Sequence, residues 1–416
     1  MDQSPSTMHD SQKRPDLPYD GGSAPCRNGV AYTGRRDARS VMMLGLRGIP
    51  NIQGGVEKHV EMLALELVKL GWRVEVVGRR AYMTEGTETD WNGVQIRSLW
   101  SPRHVAFEAL IHTFAGVGLA AIRRPDVVHI HAVGPSLAVP LARLAGLSVV
   151  VTHHGFDYDR QKWGRAARFM LRLGESLGMR YANRRIGISE DIVQTMHQRY
   201  DVPVAHIPNG VAVTRRSENR QVLAEFDLSP RRYVLMAARL VPEKRQTDLI
   251  RAFARRENKD VKLVVAGGAD FESSYSAEVH ELAKSVPGVV MTGFQTGERL
   301  DALFSNASLF VLPSSHEGMP IALLEAMAHG LPVLASDIQP NLALGLGSDE
   351  YFPLGDIEAL TVALDAKLSN PPTEDDIAAR ILHTAQTYNW HHVADRTARI
   401  YAEAVERSWT RTASKS

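Results

Sequence analysis

Short apolar runs alternate with amphipathic runs from Val41 onward. In the first half, residues 56–71 repeat apolar positions every three or four residues and end at a glycine, which predicts a helix. Strand-length apolar runs lie at 41–46, 73–78, 126–132, 148–155 and 184–189, and a last run at 204–211 closes the series. Strands that alternate with helices predict an α/β fold with a doubly wound parallel sheet.

The same alternation restarts after a polar stretch at 214–232, which we interpret as a linker. Strands are predicted at 233–239, 262–268, 289–294, 309–314 and 332–337. Helices are predicted at 247–257, 276–286, 298–307, 320–329, 357–368 and 393–409. The sequence therefore predicts two Rossmann-like domains, 41–213 and 233–390, facing a cleft. Residues 391–416 are expected to return to the first domain, and ligands should bind at the C-terminal ends of the strands.

Composition narrows the function classes. The chain has 416 residues, of which 44% are hydrophobic and 23% charged, and its net charge of +1 gives no argument for nucleic-acid binding. Cys26 is the single cysteine, so no internal disulfide or cysteine-based zinc site is expected, as in a reducing compartment.

The ends and the apolar stretches bear on location. Apolar stretches such as 132–142 are shorter than a membrane span. Residues 1–40 lack the apolar segment of a signal peptide, and we expect a disordered tail. The alternative is that translation starts near Met42 or Met43. Both readings predict a cytoplasmic protein.

One candidate phosphate site is a glycine-rich loop. The chain contains neither G-x-G-x-x-G nor a P-loop motif, which disfavours a plain NAD-binding protein and a P-loop NTPase. The loop GLRGIPNIQGGVEKHV at 45–60 connects a predicted strand to a predicted helix. Gly54 and Gly55 would let the backbone approach a ligand, and the helix N-terminus favours an anion. An ordinary strand–helix turn remains the alternative.

The second candidate site is the stretch EGMPIALLE. It holds Glu317 and Glu325 on either side of the start of a predicted helix, 320–329, which opens on a proline and ends before a glycine. Amides of the first turn, at Ile321 and Ala322, would face the cleft. A carboxylate that accepts two hydroxyl groups recognises a ribose or a hexose. The alternative is a solvent-facing glutamate on a surface helix, which the apolar neighbours disfavour.

These motifs together resemble one family. The E-x7-E spacing of EGMPIALLE is similar to the signature of retaining GT-B glycosyltransferases of family 4, the glycosyl transferases group 1. The stretches QGGVEKHV, HIPNGV, AARLVPEKR and LFVLPSSHEGMPIALLEAMAHGLPVLASD agree in order and spacing, and the resemblance covers nearly all of 41–409. The start, LGLRGIPNIQGG, looks most like the subgroup of bacterial polysaccharide assembly that includes rhamnosyltransferases.

The resemblance implies a role for each matching residue. Arg239 and Lys244 would grip the donor diphosphate, whose charge grows as the glycosidic bond breaks. Glu325 would bind the ribose, and Glu317 the transferred sugar. Gly318, Met319, Pro320, Ile321 and Ala322 would complete the donor wall, with Gly54 and Gly55 approaching the phosphates from the first domain.

The acceptor side of the cleft is implied to hold a histidine. His154 in VTHHG matches that position, although His153 could be mistaken for it by one residue. A histidine at a strand end with satisfied hydrogen bonds is the alternative for either. The implied catalytic set is therefore His154, Glu317, Arg239 and Lys244. Contacts to the base are expected from the backbone around Gly293 and Phe294.

Two weaker patterns suggest metal ions. Asp157-Tyr158-Asp159 is a D-x-D, but it follows a strand of the first domain, so we interpret it as chance. His129 and His131 share one face of a strand, and we interpret them as packing and hydrogen-bonding groups. No metal or other cofactor is expected.

A basic amphipathic segment extends from Arg160 to Tyr181. An apolar stripe at helical spacing runs from Trp163 to Tyr181, and residues 159–185 hold eight basic and two acidic side chains. Such a helix can lie on an anionic membrane surface. The alternative is an ordinary domain helix whose apolar stripe faces the core.

The expected function follows from the resemblance. It is a metal-independent, retaining transfer of a sugar from a nucleotide-diphosphate sugar to a glycan or polyprenyl-linked acceptor, in bacterial cell-surface polysaccharide biosynthesis at the inner membrane face. Two alternatives stay open: a sugar-nucleotide epimerase of the same fold, and a catalytically silent subunit that binds sugar nucleotides. The donor, the acceptor and the linkage are not determined by these motifs.

Overall fold

The computed structural model describes residues 39–413 except 84–88, 103–107, 161–162, 213–216, 218, 259 and 270–271. The expected tail lies outside the described residues up to position 38, as do Cys26 and the first part of the expected linker. Ser40 already belongs to the first strand.

The first sheet has eight strands in the order β3-β4-β2-β1-β5-β6-β7-β8, and β3 alone of these runs antiparallel to its neighbour. The strands are β1 Ser40–Leu44, β2 Arg73–Arg79, β3 Asp90–Trp91, β4 Val94–Leu99, β5 Val127–His131, β6 Val149–His153, β7 Arg184–Gly187 and β8 Ala205–His206. Its helices are α1 Gly55–Lys69, α2 Glu108–Arg123, α3 Val139–Leu144, α4 Arg165–Tyr181 and α5 Glu190–Tyr200.

The interior strands of this sheet are buried on both faces. In β1, Val41 and Met43 belong to one apolar cluster, whereas Met42 and Leu44 belong to another. Continuous apolar runs are typical of parallel strands that helices cover on both sides.

The second sheet has six parallel strands in the order β11-β10-β9-β12-β13-β14. They are β9 Tyr233–Ala237, β10 Lys262–Ala266, β11 Val289–Gly293, β12 Leu309–Leu312, β13 Val333–Ser336 and β14 Tyr351–Phe352. The helices that follow the first domain are α6 Gln221–Glu225, α7 Gln246–Arg255, α8 Ser274–Ser285, α9 Gly297–Asn306, α10 Ile321–Ala328, α11 Gln339–Leu342, α12 Ile357–Ser369 and α13 Glu374–Thr387.

Part of the segment interpreted as a linker packs into the second domain. Helix α6 lies inside 214–232, and its Val222 and Leu223 are buried in the same apolar cluster as Tyr233 of β9. The polar composition of this segment hid a helix of five residues.

The last helix, α14 Trp390–Ala413, packs on the first domain. It contacts α1 and β5 to β7, and Trp390, Val393 and Tyr401 are buried in the cluster that holds Val41. The Tyr401 hydroxyl also bonds to His129 Nδ1 at 2.6 Å. The chain therefore crosses between the two domains twice, once at Val211 and once before α14. The two crossings are adjacent, since Val211 and Asn389 form a β-bridge.

Candidate active site

A cavity of about 610 Å³ lies between the C-terminal ends of the two sheets. Loops after β1 and β6 form one wall, and loops after β9 and β12 form the other. The cavity is lined by all of the expected site residues, namely Gly54, Gly55, His154, Arg239, Lys244, Glu317, Gly318, Met319, Pro320, Ile321, Ala322 and Glu325.

Lys244 and Glu317 are paired with each other in this cavity. The Lys244 Nζ lies 2.5 Å from Glu317 Oε1, and both side chains are largely buried. Lys244 ends a short 3-10 helix after β9, and Glu317 follows β12. The amide of Ser315 donates to the Glu243 carbonyl at 2.8 Å, so the two loops are also joined through their backbones.

Glu325 lies on α10 and faces the first domain. Burial raises the pKa of Glu325 to about 7, because the nearby Lys58 only partly offsets burial and the carboxylates of Asp301 and Glu61 add to it. Lys58 and Glu61 belong to α1, so charges on the other side of the cleft contribute to the pKa of Glu325. Near neutral pH its carboxyl group can therefore change protonation state.

The helix that carries Glu325 begins one residue later than expected. Pro320 has extended backbone angles, φ −78° and ψ 101°, and it precedes the first helical residue, Ile321. Its carbonyl accepts the amides of Leu323 and Leu324. The prediction that Pro320 occupies the first helical turn is wrong by this one position.

The glycine-rich loop is held by a buried ion pair that sequence reasoning missed. Arg47 Nε lies 3.0 Å from Glu57 Oε1, and the Arg47 amide donates to the same oxygen at 3.1 Å. Burial alone would raise the pKa of Glu57, but the adjacent Arg47 lowers it to about 2. The carboxylate is therefore ionised and fixes the loop between β1 and α1. An arginine within a glycine-rich loop was the available signal.

The two glycines of this loop have different surroundings. Gly54 has φ 153°, and a Cβ atom there would lie 2.0 Å from Glu57 Oε2. A Cβ atom on Gly55 would meet nothing within 4 Å. The fold itself requires glycine at position 54, whereas position 55 leaves open space beside the cavity.

His154, which is half-buried, belongs to a cluster with two buried histidines, His59 and His131. His154 Nε2 lies 3.0 Å from His131 Nδ1, and the ring of His59 meets that of His154 edge-on at 4.8 Å. Burial lowers the pKa of His131 and His154 well below the ordinary value and lowers that of His59 to about 4. All three rings are therefore neutral at pH 7.

His153 points away from this cluster. Its Nε2 lies 3.0 Å from Glu175 Oε2 of α4, and His153 is not among the residues that line the cavity. Of the two histidines in VTHHG, the cavity is lined by His154.

Two models of protein families match the chain. The model described as "Glycosyl transferase 4-like domain" matches residues 54–210, and the model described as "Glycosyl transferases group 1" matches residues 218–381. The chain belongs to the group 1 glycosyltransferases. This result confirms the family that the E-x7-E stretch suggested.

Two curated relatives of this glycosyltransferase have a lipid-linked acceptor in their names. The GDP-mannose-dependent alpha-(1-6)-phosphatidylinositol monomannoside mannosyltransferase of Mycolicibacterium smegmatis is 30% identical over 57% of the chain and 65% of its own length. The GDP-mannose:cellobiosyl-diphosphopolyprenol alpha-mannosyltransferase of Komagataeibacter xylinus is 29% identical over 49% of the chain and 51% of its own length. The matched regions thus span about half to two thirds of these relatives.

Solved structures confirm the GT-B fold class. The sucrose-phosphate synthase of Thermosynechococcus elongatus superposes with a TM-score of 0.74 at 20% identity, over 88% of this chain and 98% of that chain. At this identity the likeness concerns the fold.

Three histidines of the glycosyltransferase could together hold a metal ion. One ring nitrogen each from His59, His131 and His154 lies within 4.8 Å of the others. Protein hydrogen bonds already occupy ring nitrogens here, since His59 Nδ1 bonds to Asn209 Oδ1 at 2.8 Å and His131 bonds to His154. The absence of a metal requirement stays a prediction.

The other metal patterns make protein contacts. His129 bonds to Tyr401 and to Thr152 Oγ1. Asp157 lines the cavity and pairs with Arg160 at 2.9 Å, while Asp159 is exposed.

Helix α4 exposes much of its apolar stripe. Of the stripe residues, Met170, Leu173 and Tyr181 are exposed, and Phe169, which lies beside the stripe, is 66% exposed. The alternative that this stripe packs in the core is therefore wrong at Met170, Leu173 and Tyr181, whereas Trp163, Ala167 and Leu177 are half-buried. The C-terminal half is anchored instead by the buried Glu175, which pairs with His153.

Phe294 lines the cavity directly after β11, which ends at Gly293. This is the region from which contacts to the base were expected. Among the described residues, no helix has both the length and the apolar character needed to cross a bilayer.

Proposed function

We propose that this glycosyltransferase moves a sugar, with retention of anomeric configuration, from a nucleotide-diphosphate sugar to a glycan or polyprenyl-linked acceptor of bacterial cell-surface polysaccharide. The observation that carries the proposal is the convergence of Arg239, Lys244, Glu317 and Glu325 on one cavity opposite His154. The names of the two mannosyltransferase relatives support a GDP-mannose donor as the first to test.

The donor lies along the second sheet in this proposal. Its ribose hydroxyls donate to the Glu325 carboxylate, and its diphosphate meets Arg239, Lys244 and the first amides of α10. Binding of the diphosphate separates Lys244 from Glu317. The freed Glu317 then accepts hydroxyl groups of the transferred sugar.

Charge stabilisation is the main chemical task of these residues. As the glycosidic bond breaks, the diphosphate gains negative charge, which the Arg239 guanidinium and the Lys244 ammonium stabilise in a water-poor site. The acceptor hydroxyl attacks from the face that the diphosphate leaves, and a phosphate oxygen takes its proton. The neutral His154 donates a hydrogen bond on the acceptor side and carries no charge of its own.

Arg239 and Lys244 place two positive charges where a divalent cation would otherwise neutralise the diphosphate. Their presence supports a reaction without a metal. We therefore propose that neither a metal nor another cofactor takes part.

A surface on the first domain supports docking to an anionic membrane at the cytoplasmic face. Helices α2, α3 and α4 contact one another in turn. The large apolar side chains that they expose include Ile111, Phe114, Ile122, Leu141, Leu144, Phe169, Met170 and Leu173. Arg165, Arg168 and Arg172 are exposed beside them on α4, while the two carboxylates of these helices, Glu108 and Glu175, are buried. A surface of this kind suits anionic lipid headgroups above an apolar layer.

A panel of nucleotide sugars tests the proposal. Thermal shifts are measured with GDP-mannose and with UDP-, GDP- and dTDP-linked sugars, and turnover is followed with a polyprenyl diphosphate-linked glycan as acceptor. Release of nucleotide together with an extended glycan supports transfer. A new sugar epimer formed without acceptor would show an epimerase, and binding without turnover on any acceptor would show a silent subunit.

A further inference from the structure

Asn209 connects the two domains through its side-chain amide. It lies just before the first crossing of the chain and is 2% exposed. Its Oδ1 pairs with His59 Nδ1 at 2.8 Å, within the first domain. Its Nδ2 donates to the Met319 carbonyl at 3.0 Å, across the cleft. One small side chain thus links the histidine cluster to the loop that carries Glu317.

The same loop touches the first domain at two further points. The Asn209 amide lies 3.2 Å from Met319 Sδ, and the Met319 side chain packs against apolar clusters of both domains. At Gly318 the backbones meet, because a Cβ atom there would lie 2.0 Å from the His154 carbonyl oxygen. The contact between Gly318 and His154 is therefore possible only for glycine.

We propose that Asn209 is a positioning residue that clasps the loop 317–319 against the first domain and so holds the cleft closed. This inference rests on the proposed function in one respect, namely that Glu317 contacts the donor and His154 contacts the acceptor. The clasp brings these two groups into one fixed arrangement, because the residue after Glu317 touches the His154 backbone. Without the clasp, the loop moves with the second domain alone.

The position of Asn209 in the chain suits this task. Val211 lies two residues later, donates its amide to the Tyr388 carbonyl at 2.7 Å, and is buried in the second domain's core. Gly210 packs under Trp390, where a Cβ atom would lie 2.5 Å from the ring. Asn209 is thus fixed at the crossing, where a small rotation between domains would separate it from Met319.

The substitution Asn209→Asp isolates the contact across the cleft. The aspartate keeps an oxygen for His59 but turns the Nδ2 donor into an acceptor that faces the Met319 carbonyl. Hydrogen exchange of peptides covering 315–321 is measured without any nucleotide, together with the radius of gyration by X-ray scattering. We expect exchange to rise roughly tenfold, the factor that one buried hydrogen bond controls, and the radius of gyration to increase.

Two other variants complete the test. Gly318→Ala forces the same opening by steric clash and should resemble Asn209→Asp in both measurements. Asn341→Ala removes a buried amide that bonds to the Ser336 carbonyl within the second domain at 2.9 Å, and it should leave loop exchange unchanged. The proposal would be overturned if peptides covering 315–321 exchanged at the wild-type rate in Asn209→Asp, or if their exchange rose equally in Asn341→Ala. Both measurements are independent of whether GDP-mannose binds, which is scored separately by its thermal shift.

Discussion

Lys244 and Glu317, which come from loops after two neighbouring strands of the second sheet, neutralise each other at a distance of 2.5 Å. The cation and the carboxylate expected to serve the donor are thus held together by an ion pair. Under the proposed function, donor binding exchanges this ion pair for contacts with phosphate and sugar. The pair keeps the Lys244 charge from being buried alone, which would be costly.

Lys244→Ala should abolish most of the transferase activity while the fold persists. Loss of one group that stabilises the leaving diphosphate costs about 10²- to 10³-fold in kcat. Steady-state kinetics with the donor found in the panel measure this, and circular dichroism monitors the fold.

A matched control is Lys367→Ala. Lys367 is similarly buried and pairs with Asp349 at 2.6 Å, outside the cavity. Near-normal turnover of Lys244→Ala, or an equal loss in Lys367→Ala, would show that the site is assigned wrongly.

Glu325→Gln should stabilise the protein at high pH. The pKa of Glu325 is raised from an unfolded value of 4.5 to about 7, so the folded state favours the protonated form. Wild-type stability therefore falls as pH rises from 4.5 to 7, and the loss is complete above 7. The glutamine variant lacks this loss. Its Tm should exceed that of the wild type by roughly 2–4 °C at pH 8, and the two should converge near pH 4.5.

The same titration should govern nucleotide affinity. Ribose hydroxyls donate to an ionised carboxylate, so affinity for the nucleotide should increase from pH 6 to pH 8 in the wild type and stay flat in Glu325→Gln. Calorimetric titration with GDP and UDP measures this. A pH dependence that survives in the glutamine variant would have to come from another group.

Gly54→Ala and Gly55→Ala should differ in kind. At position 54 the new methyl group clashes with Glu57, so both the Tm and donor affinity should fall, the latter by about tenfold or more. At position 55, the first residue of α1, alanine has room and favours the helix by about 1 kcal/mol. The Tm should therefore hold or rise while the methyl group obstructs the donor phosphates. An unchanged Tm in Gly54→Ala would contradict the steric argument.

The exposed face of α4 should bind anionic vesicles. At low salt the wild type should sediment with phosphatidylglycerol vesicles and much less with phosphatidylcholine vesicles, because arginine side chains contribute about 1 kcal/mol each near an anionic surface. The double variant Phe169→Ser, Leu173→Ser should lose most of this binding. Leu382→Ser is the control, since Leu382 is 54% exposed on α13 of the other domain. No sedimentation of the wild type would exclude the docking surface.

Chelation should leave turnover unchanged. EDTA, followed by dialysis, removes divalent ions, and the two basic side chains still neutralise the diphosphate. A loss of activity that Mg²⁺ or Zn²⁺ restores would contradict the proposal. Loss of the zinc response in His59→Ala would assign that ion to the histidine cluster.

The interior of both sheets could be predicted from the sequence because its strands are apolar on both faces. The strands β3 and β4 were missed because they lie at the edge of the sheet. Val94–Leu99 alternates apolar with polar residues and lacks the continuous apolar run by which the interior strands were predicted. Helix α2 was missed as well, and it carries two internal glycines in an otherwise apolar run.

That the residues expected at the donor wall share one cavity could be predicted, because most of them lie close together in sequence. Glu317 and Glu325 are recognised by their spacing, and the structure brings them to one cavity with Arg239 and Lys244. The contact between His59 and Asn209 could not be predicted, because it joins residues 150 positions apart. A pairing of that kind depends on how α1 packs against the segment after β8 within the first domain, which no local pattern encodes.

The return of α14 to the first domain also sets the order in which the two domains can complete their folding during synthesis. Tyr401 fills the core beside β5 and bonds to His129, so the first domain lacks part of its interior until the final helix has left the ribosome. The second domain, whose strands β9 to β14 and helices α6 to α13 lie between positions 221 and 387, can complete its own core earlier. The half of the protein that is synthesised first is thus the half that finishes folding last, and a fragment truncated before Trp390 would leave that apolar face uncovered.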